Sequence, residues 1–161
     1  MALPQPGDPV FPDRALLVYG TVVEADEDHT SPHVKEAAGP WFVSSYHAVW
    51  EHAPAYLDAM PGGAEWRAAV DGQRPVGERH LAVHEGHVVA LTQRDQALVE
   101  VAGEAILTSG WTGTADAIAN RLDEAGAAGV TEVVYAPAGP DIESEIRRFS
   151  AAALSSKTPS S

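Results

Sequence analysis

Apolar positions along this chain follow two periods, and each period marks a kind of element. Between residues 15 and 23, Leu16, Leu17, Val18, Tyr19, Val22 and Val23 form a nearly continuous β-favouring run, which predicts a strand buried on both faces. Towards the other end the pattern reads helix, strand, helix. Thr114 can cap a helix whose apolar face is Ile118, Leu122 and Ala125, and Gly129 supplies its left-handed stop. Val133, Val134 and Tyr135 continue as a strand. Asp141 then opens a second helix with Ile142, Ile146, Phe149 and Ala153 on one side.

Between these ends the signals vary in strength. Ser31-Pro32 is a helix start, with serine as cap and proline at the first helical position, and the segment continues through Trp41, Tyr46, Val49 and Trp50. Gly39-Pro40 is expected to break or kink it. A short helix is expected over 65–70. Thr92-Gln93-Arg94-Asp95 resembles a capping box with aspartate in the reciprocal place, and Leu98, Val101, Ala102 and Ala105 follow at helical spacing, so a helix is expected over 95–107. The block 80–91 is ambiguous. Its alternation at Leu81, Val83, Val89 and Leu91 favours a strand, yet a helix also fits, with Gly86 weakening either. Pro4, Pro6, Pro9 and Pro12 make residues 1–14 an extended arm, and 155–161 lacks an apolar anchor and reads as a disordered tail.

Taken in order, strand, helices, strand, helices, strand and helix make three successive β/α units around parallel strands, an α/β class. The motifs G-T-x-x-x-I-A-x-R-L at 113–122, the Gly-Val turn at 129–130, and V-V-Y-x-P-A-G-P-D-I at 133–142 resemble the last helix-strand-helix of luciferase-like flavin- or deazaflavin-dependent oxidoreductases. Upstream, 20–23, 31–41 and 79–87 are similar to stretches of one branch of that family, so the resemblance spans 15–154. It implies a partial (β/α)8 TIM-type barrel made of about three C-terminal units. A full barrel needs about 250 residues, and this chain has 161.

Composition narrows the chemistry. With 23 Asp plus Glu against 10 Lys plus Arg, the net charge of -13 repels a phosphate backbone, and Arg147-Arg148 is the one adjacent basic pair, so nucleic acid is not an expected partner. The absence of cysteine excludes disulfides, thiolate ligands and a cysteine nucleophile. No apolar run approaches a membrane span and the start carries neither a basic patch nor an apolar stretch, so a cytoplasmic protein without membrane partners is expected.

His80, His84, Glu85 and His87 are the densest cluster of acid-base groups and potential ligands. On a helix, His80, His84 and His87 share a face suited to zinc or iron; on a strand His87 faces away and the site dissolves. Gly86 alone separates Glu85 from His87, one residue short of the thermolysin-type spacing, and filling polar space is the alternative role for these histidines. No metal site is assigned. Gly110-Trp111-Thr112-Gly113-Thr114 offers backbone N–H groups at a helix start, a phosphate-binding arrangement that is also an ordinary capped start. Tyr135 to Asp141 is either a site at a strand's C-terminal end or a tight capped turn. The aromatics Trp41, Tyr46, Trp50, Trp66 and Trp111 could stack on a flat ring or simply fill a core, and the acidic run 24–28 lacks calcium-loop spacing.

The resemblance implies FMN or a deazaflavin coenzyme and a small organic substrate, in a monooxygenase or hydride-transfer reaction. His84 and His80 are then the candidate catalytic side chains, and Gly113, Thr114, Tyr135 and Gly139 the candidate cofactor-binding residues. Because the first strands of the family barrel have no counterpart here, a homo-oligomer or a complementary barrel chain is expected as partner. The alternatives are a non-catalytic half-barrel subunit or remnant and, from a different class, a histidine-ligated metalloprotein.

Overall fold

The computed structural model describes residues 13–155, so the greater part of the proline-rich arm and the tail beyond Ser155 lie outside the described residues. Of the described residues 62% are helical and only two short strands form, in one small sheet, which overturns the expected partial barrel of three β/α units. Strand β1 (Ala15–Tyr19) pairs in parallel with β2 (Glu132–Ala136), in the register Leu17↔Val134. The parallel pairing expected from the βαβ order is present. The third strand is not.

The reason lies in residues 79–91. Arg79–Val83 forms a short helix (α3), and the chain then turns through Gly86 at φ +72° and Val88 at φ +50°. Ala82 and Val83 are buried while Leu81 and Val89 are exposed, so the alternation that suggested a strand has no sheet face to bury. Its apolar positions instead hold a turn against two longer helices, α1 (Pro32–His52) and α4 (Gln93–Ala102).

Helix α1 runs unbroken through Pro40. Pro40 lacks the N–H that would bond Glu36, and the Glu36 carbonyl faces Gly139, where a Cβ would approach it to 2.8 Å. Gly139 has φ +96°, so glycine is required there by conformation as well as by space. Helix α2 (Gly63–Gln73) packs Trp66 and Val70 into a core with Val34, Val43, Tyr46, Leu57, Leu98 and Ile106. The Trp66 indole donates to Asp95 Oδ1 at 2.8 Å, and Asp95 completes the capping box with Thr92 that the sequence announced.

A second core lies under the sheet. Helices α5 (Ala115–Ala127) and α6 (Ile142–Ser155) cover one face, burying Val18, Val22, Ile118, Phe149 and Ala152, with Tyr135 stacked on Phe149 at 4.1 Å. Thr114 caps α5, Gly129 ends it at φ +88°, and Asp141 Oδ1 accepts from Ser144 N. Two expectations need correction. Helix α6 is rotated so that Glu145, Phe149 and Ala152 face inward while Ile142 and Ile146 are exposed. Among the described residues the sheet is also covered on one face only: Leu17 is 65% and Val134 45% exposed on the other, with Tyr19 at its end stacked on Trp41.

Candidate functional site

The two cores meet along a polar seam at the C-terminal ends of the parallel strands, the end at which open α/β sheets place ligands. Just past β1, Thr21 is wholly buried and donates its hydroxyl to Glu145 Oε2 at 2.6 Å. Glu145 arrives from α6 and is 3% exposed. Its other oxygen lies 2.7 Å from Nε2 of His33, which sits in the first turn of α1. On the far side of the imidazole, Nδ1 lies 2.9 Å from Glu27 Oε1. Tyr135, at the end of β2, donates to the Gly20 carbonyl at 2.8 Å, with Glu145 Oε2 a further 3.3 Å away.

Two carboxylates at the two nitrogens of one ring each call for a donor, so His33 is favoured as the imidazolium. The hydrogen bond to Glu145 is the main cause that raises its pKa, with burial opposing. Arg148 Nη1 stands 3.5 Å from Nδ1 and also opposes the proton, but the nearer carboxylate of Glu27 dominates, and Arg148 is itself turned to Glu24 at 3.2 Å. Burial, reinforced by the neighbouring Glu145 charge, pushes the Tyr135 phenol up.

Above this network lies a cavity of about 230 Å³ bounded by His33, Glu36, Ala138, Asp141, Glu145 and Arg148. It adjoins a larger cleft of about 480 Å³ that shares Glu36 and Pro140 and has Val89, Ala90, Leu91 and Val99 as its apolar walls and Lys35, Gln96 and Glu100 as its polar ones. The Lys35 ammonium is paired with Glu100 at 2.6 Å. Together the two spaces are of the size that holds a small ligand.

The structure gathers some of the expected residues here and sends others elsewhere. Tyr135 joins the seam, and Gly139 lines the larger cleft. Gly113 holds the chain beyond β1, its N–H donating to the Thr21 carbonyl at 3.1 Å. Thr114 is spent on capping, its hydroxyl accepting from Ala117 N. His84 is exposed and lies 2.7 Å from Glu51 Oε1, outside the cleft; His80 is exposed on α3. The sequence did not single out His33, Glu145, Thr21 or Glu27. The one available signal was the competing stripe Glu145, Phe149, Ala152, which has helical spacing but begins with a charge.

A separate gathering is formed by His47, His84 and His87. His47 projects from α1, is buried, and stacks on Trp66, while its Nδ1 lies 2.7 Å from Nδ1 of His87. Burial, together with the nearby imidazoles, pulls the His47 pKa down to about 4; burial also lowers His87.

Searches against family profiles, curated proteins and solved structures found no match to the chain. No helix among the described residues is long and apolar enough to cross a membrane.

Proposed function

We propose that the chain binds a flat redox cofactor of the flavin or deazaflavin class, together with a small organic substrate, in the cleft at the C-terminal ends of β1 and β2, and works in the cytoplasm as part of an oxidoreductase. The observation that carries the proposal is the apolar cleft opening beside a buried proton-holding network. The resemblance at 113–142 supplies the cofactor class.

The residues fit one part of such a cofactor and not another. Val89, Leu91 and Val99 offer the apolar walls that a ring system needs. A phosphate tail has no comparable cradle, because Lys35 is neutralised by Glu100 and Arg148 by Glu24 and Glu27. What the chain's own side chains offer is a proton held at His33 by Glu145 and Glu27, an ordered Tyr135 hydroxyl, and the apolar wall of Val89, Leu91 and Val99.

Association accompanies this reading. Parallel sheets are ordinarily covered on both faces, and no element among the described residues covers the face bearing Leu17 and Val134, so a second copy or a complementary chain is the expected partner. A non-catalytic subunit is the second reading, favoured by the missing phosphate cradle.

Fluorescence titration with FMN and with a deazaflavin coenzyme tests the proposal. Saturable binding by the wild type, weakened more than about tenfold in Leu91→Arg, supports it, the tenfold loss corresponding to about 1.4 kcal/mol. Absence of binding to either coenzyme, with an oligomer seen by size-exclusion chromatography, favours the non-catalytic subunit.

A further inference from the structure

Three imidazoles converge where α1 meets the turn after α3. The ring centroids of His47 and His87 are 4.9 Å apart, those of His47 and His84 5.4 Å, and those of His84 and His87 5.4 Å. One ligand atom from each lies within 4.8 Å of the others. We infer that His47, His84 and His87 form a binding site for a divalent first-row transition metal, zinc being the fitting test ion.

The placement is specific in several respects. His84 and His87 are presented from one turn, in which His87 N donates to the His84 carbonyl at 3.1 Å, while His47 comes from a long helix forty residues away in sequence. Three nitrogens around zinc at about 2.0–2.1 Å stand about 3.3 Å from one another, so the His47 and His87 Nδ1 atoms, 2.7 Å apart, open slightly while any pair at the 4.8 Å limit closes by about 1.5 Å. His84 and His87 are exposed at their turn and can supply that movement by side-chain rotation, whereas His47 is fixed by burial and by Trp66. Three histidines with an open fourth position are a recognised zinc donor set.

Two further observations point to a ligand. His47 Nε2 is buried and finds no hydrogen-bond partner among the described residues, although buried polar atoms ordinarily do. Glu51, one helical turn beyond His47, holds His84 Nε2 at 2.7 Å. A carboxylate on the outer edge of a histidine is the arrangement that fixes ring orientation and basicity in metal sites. His80, which a helical reading of the block would have recruited, lies outside the converging three, and its place is taken by His47 from α1.

The test uses untagged full-length protein stripped with a chelator and titrated with zinc by calorimetry, and with cobalt to read the visible bands of a four-coordinate site. The expected result is one ion per chain, a thermal midpoint that rises with zinc, and four-coordinate cobalt bands. His84→Gln and His87→Gln, at exposed positions, should retain the fold by circular dichroism and each lose about 100-fold or more in affinity. Glu51→Gln should lose about tenfold, and His80→Gln none. Failure of the wild type to bind one equivalent, or wild-type affinity retained by His84→Gln and His87→Gln, overturns the inference. Coenzyme binding in the cleft is read separately, by fluorescence on the metal-free protein, so failure of either reading is distinguished from failure of the other.

Discussion

Removing Glu145 is the sharpest single test of the seam. In Glu145→Ala the Thr21 hydroxyl, wholly buried, loses an acceptor at 2.6 Å and cannot turn to water, at a cost of about 1–3 kcal/mol. His33 loses a charge-assisted partner at 2.7 Å, an interaction worth about 1.5–3 kcal/mol in general and less here, because the side chain is 23% exposed and keeps Glu27. Tyr135 keeps its bond to Gly20, so its share is small. The expected total is about 2–4 kcal/mol, since losses within one network are not additive.

Glu145→Gln separates charge from hydrogen bonding. Its amide oxygen still accepts from Thr21, but it offers nothing to a protonated His33. The folded-state pKa of His33 stands above the unfolded value near 6.5, chiefly through Glu145, so the stability it contributes is full below about pH 6.5 and is lost as pH rises through the folded pKa. Urea melts at about pH 6 and at about pH 9 should therefore show a wild-type advantage over Glu145→Gln that is larger at the lower pH. A gap that stays constant or widens with pH, or a Glu145→Ala protein within about 0.5 kcal/mol of wild type, would refute the assignment of His33 as a proton held by Glu145.

Two further substitutions probe the two cores. Phe149→Ala should cost about 3–5 kcal/mol in denaturant melts, because Phe149 is 8% exposed and stacks on Tyr135; a change under about 1 kcal/mol would show α6 to be peripheral. Asp95→Ala should cost about 2–4 kcal/mol by stranding the Trp66 indole N–H and the Thr92 cap together, and Asp95→Asn should recover part of that loss; equal melts for the two variants would argue against hydrogen bonding as the cause.

The sheet was legible because its signals are local. A continuous β-favouring run at 16–19 and a run at 133–135 preceded by a helix with its own cap and glycine stop mark both strands, and the crossover rule makes a parallel partner for 133–135 the expectation, either 16–19 or the 80–91 block; the structure takes the first. What the run at 16–19 could not disclose was that one face lacks a cover, since burial on both faces depends on elements elsewhere. Helix α6 offered two stripes sharing Phe149; the apolar one through Ile142 and Ile146 lost to the one containing Glu145, because Thr21, His33 and Tyr135 compensate the buried carboxylate. That compensation arises from residues 10 to 124 positions away, beyond the reach of any periodicity. In 80–91, alternation was a true property of the sequence but no neighbouring strand existed to use it, and Gly86 with Val88 at positive φ turned the chain instead. His47 was hidden for a similar reason: on α1 it stands within a largely apolar stretch, and only the fold brings it to His87.

Both candidate sites hang on the same two pieces of chain. Helix α1 carries His33 near its start and His47 fourteen residues on, about 21 Å along the axis, with the Glu36 carbonyl and Pro40 between them. The turn after α3 begins with His84 and His87 and ends in Val89, Ala90 and Leu91, which wall the larger cleft. Ala90 and Leu91 also border the small space next to His47 and His87. An ion gripping the start of that turn consequently fixes one wall of the cleft, whose Val89, Ala90 and Leu91 follow closely on His87. Linkage then requires that whatever fills the cleft change zinc affinity by the same factor by which zinc changes its own. The coupling has a short physical path through one turn, so it can be measured by repeating the zinc titration with the cleft filled and comparing wild type with Leu91→Arg.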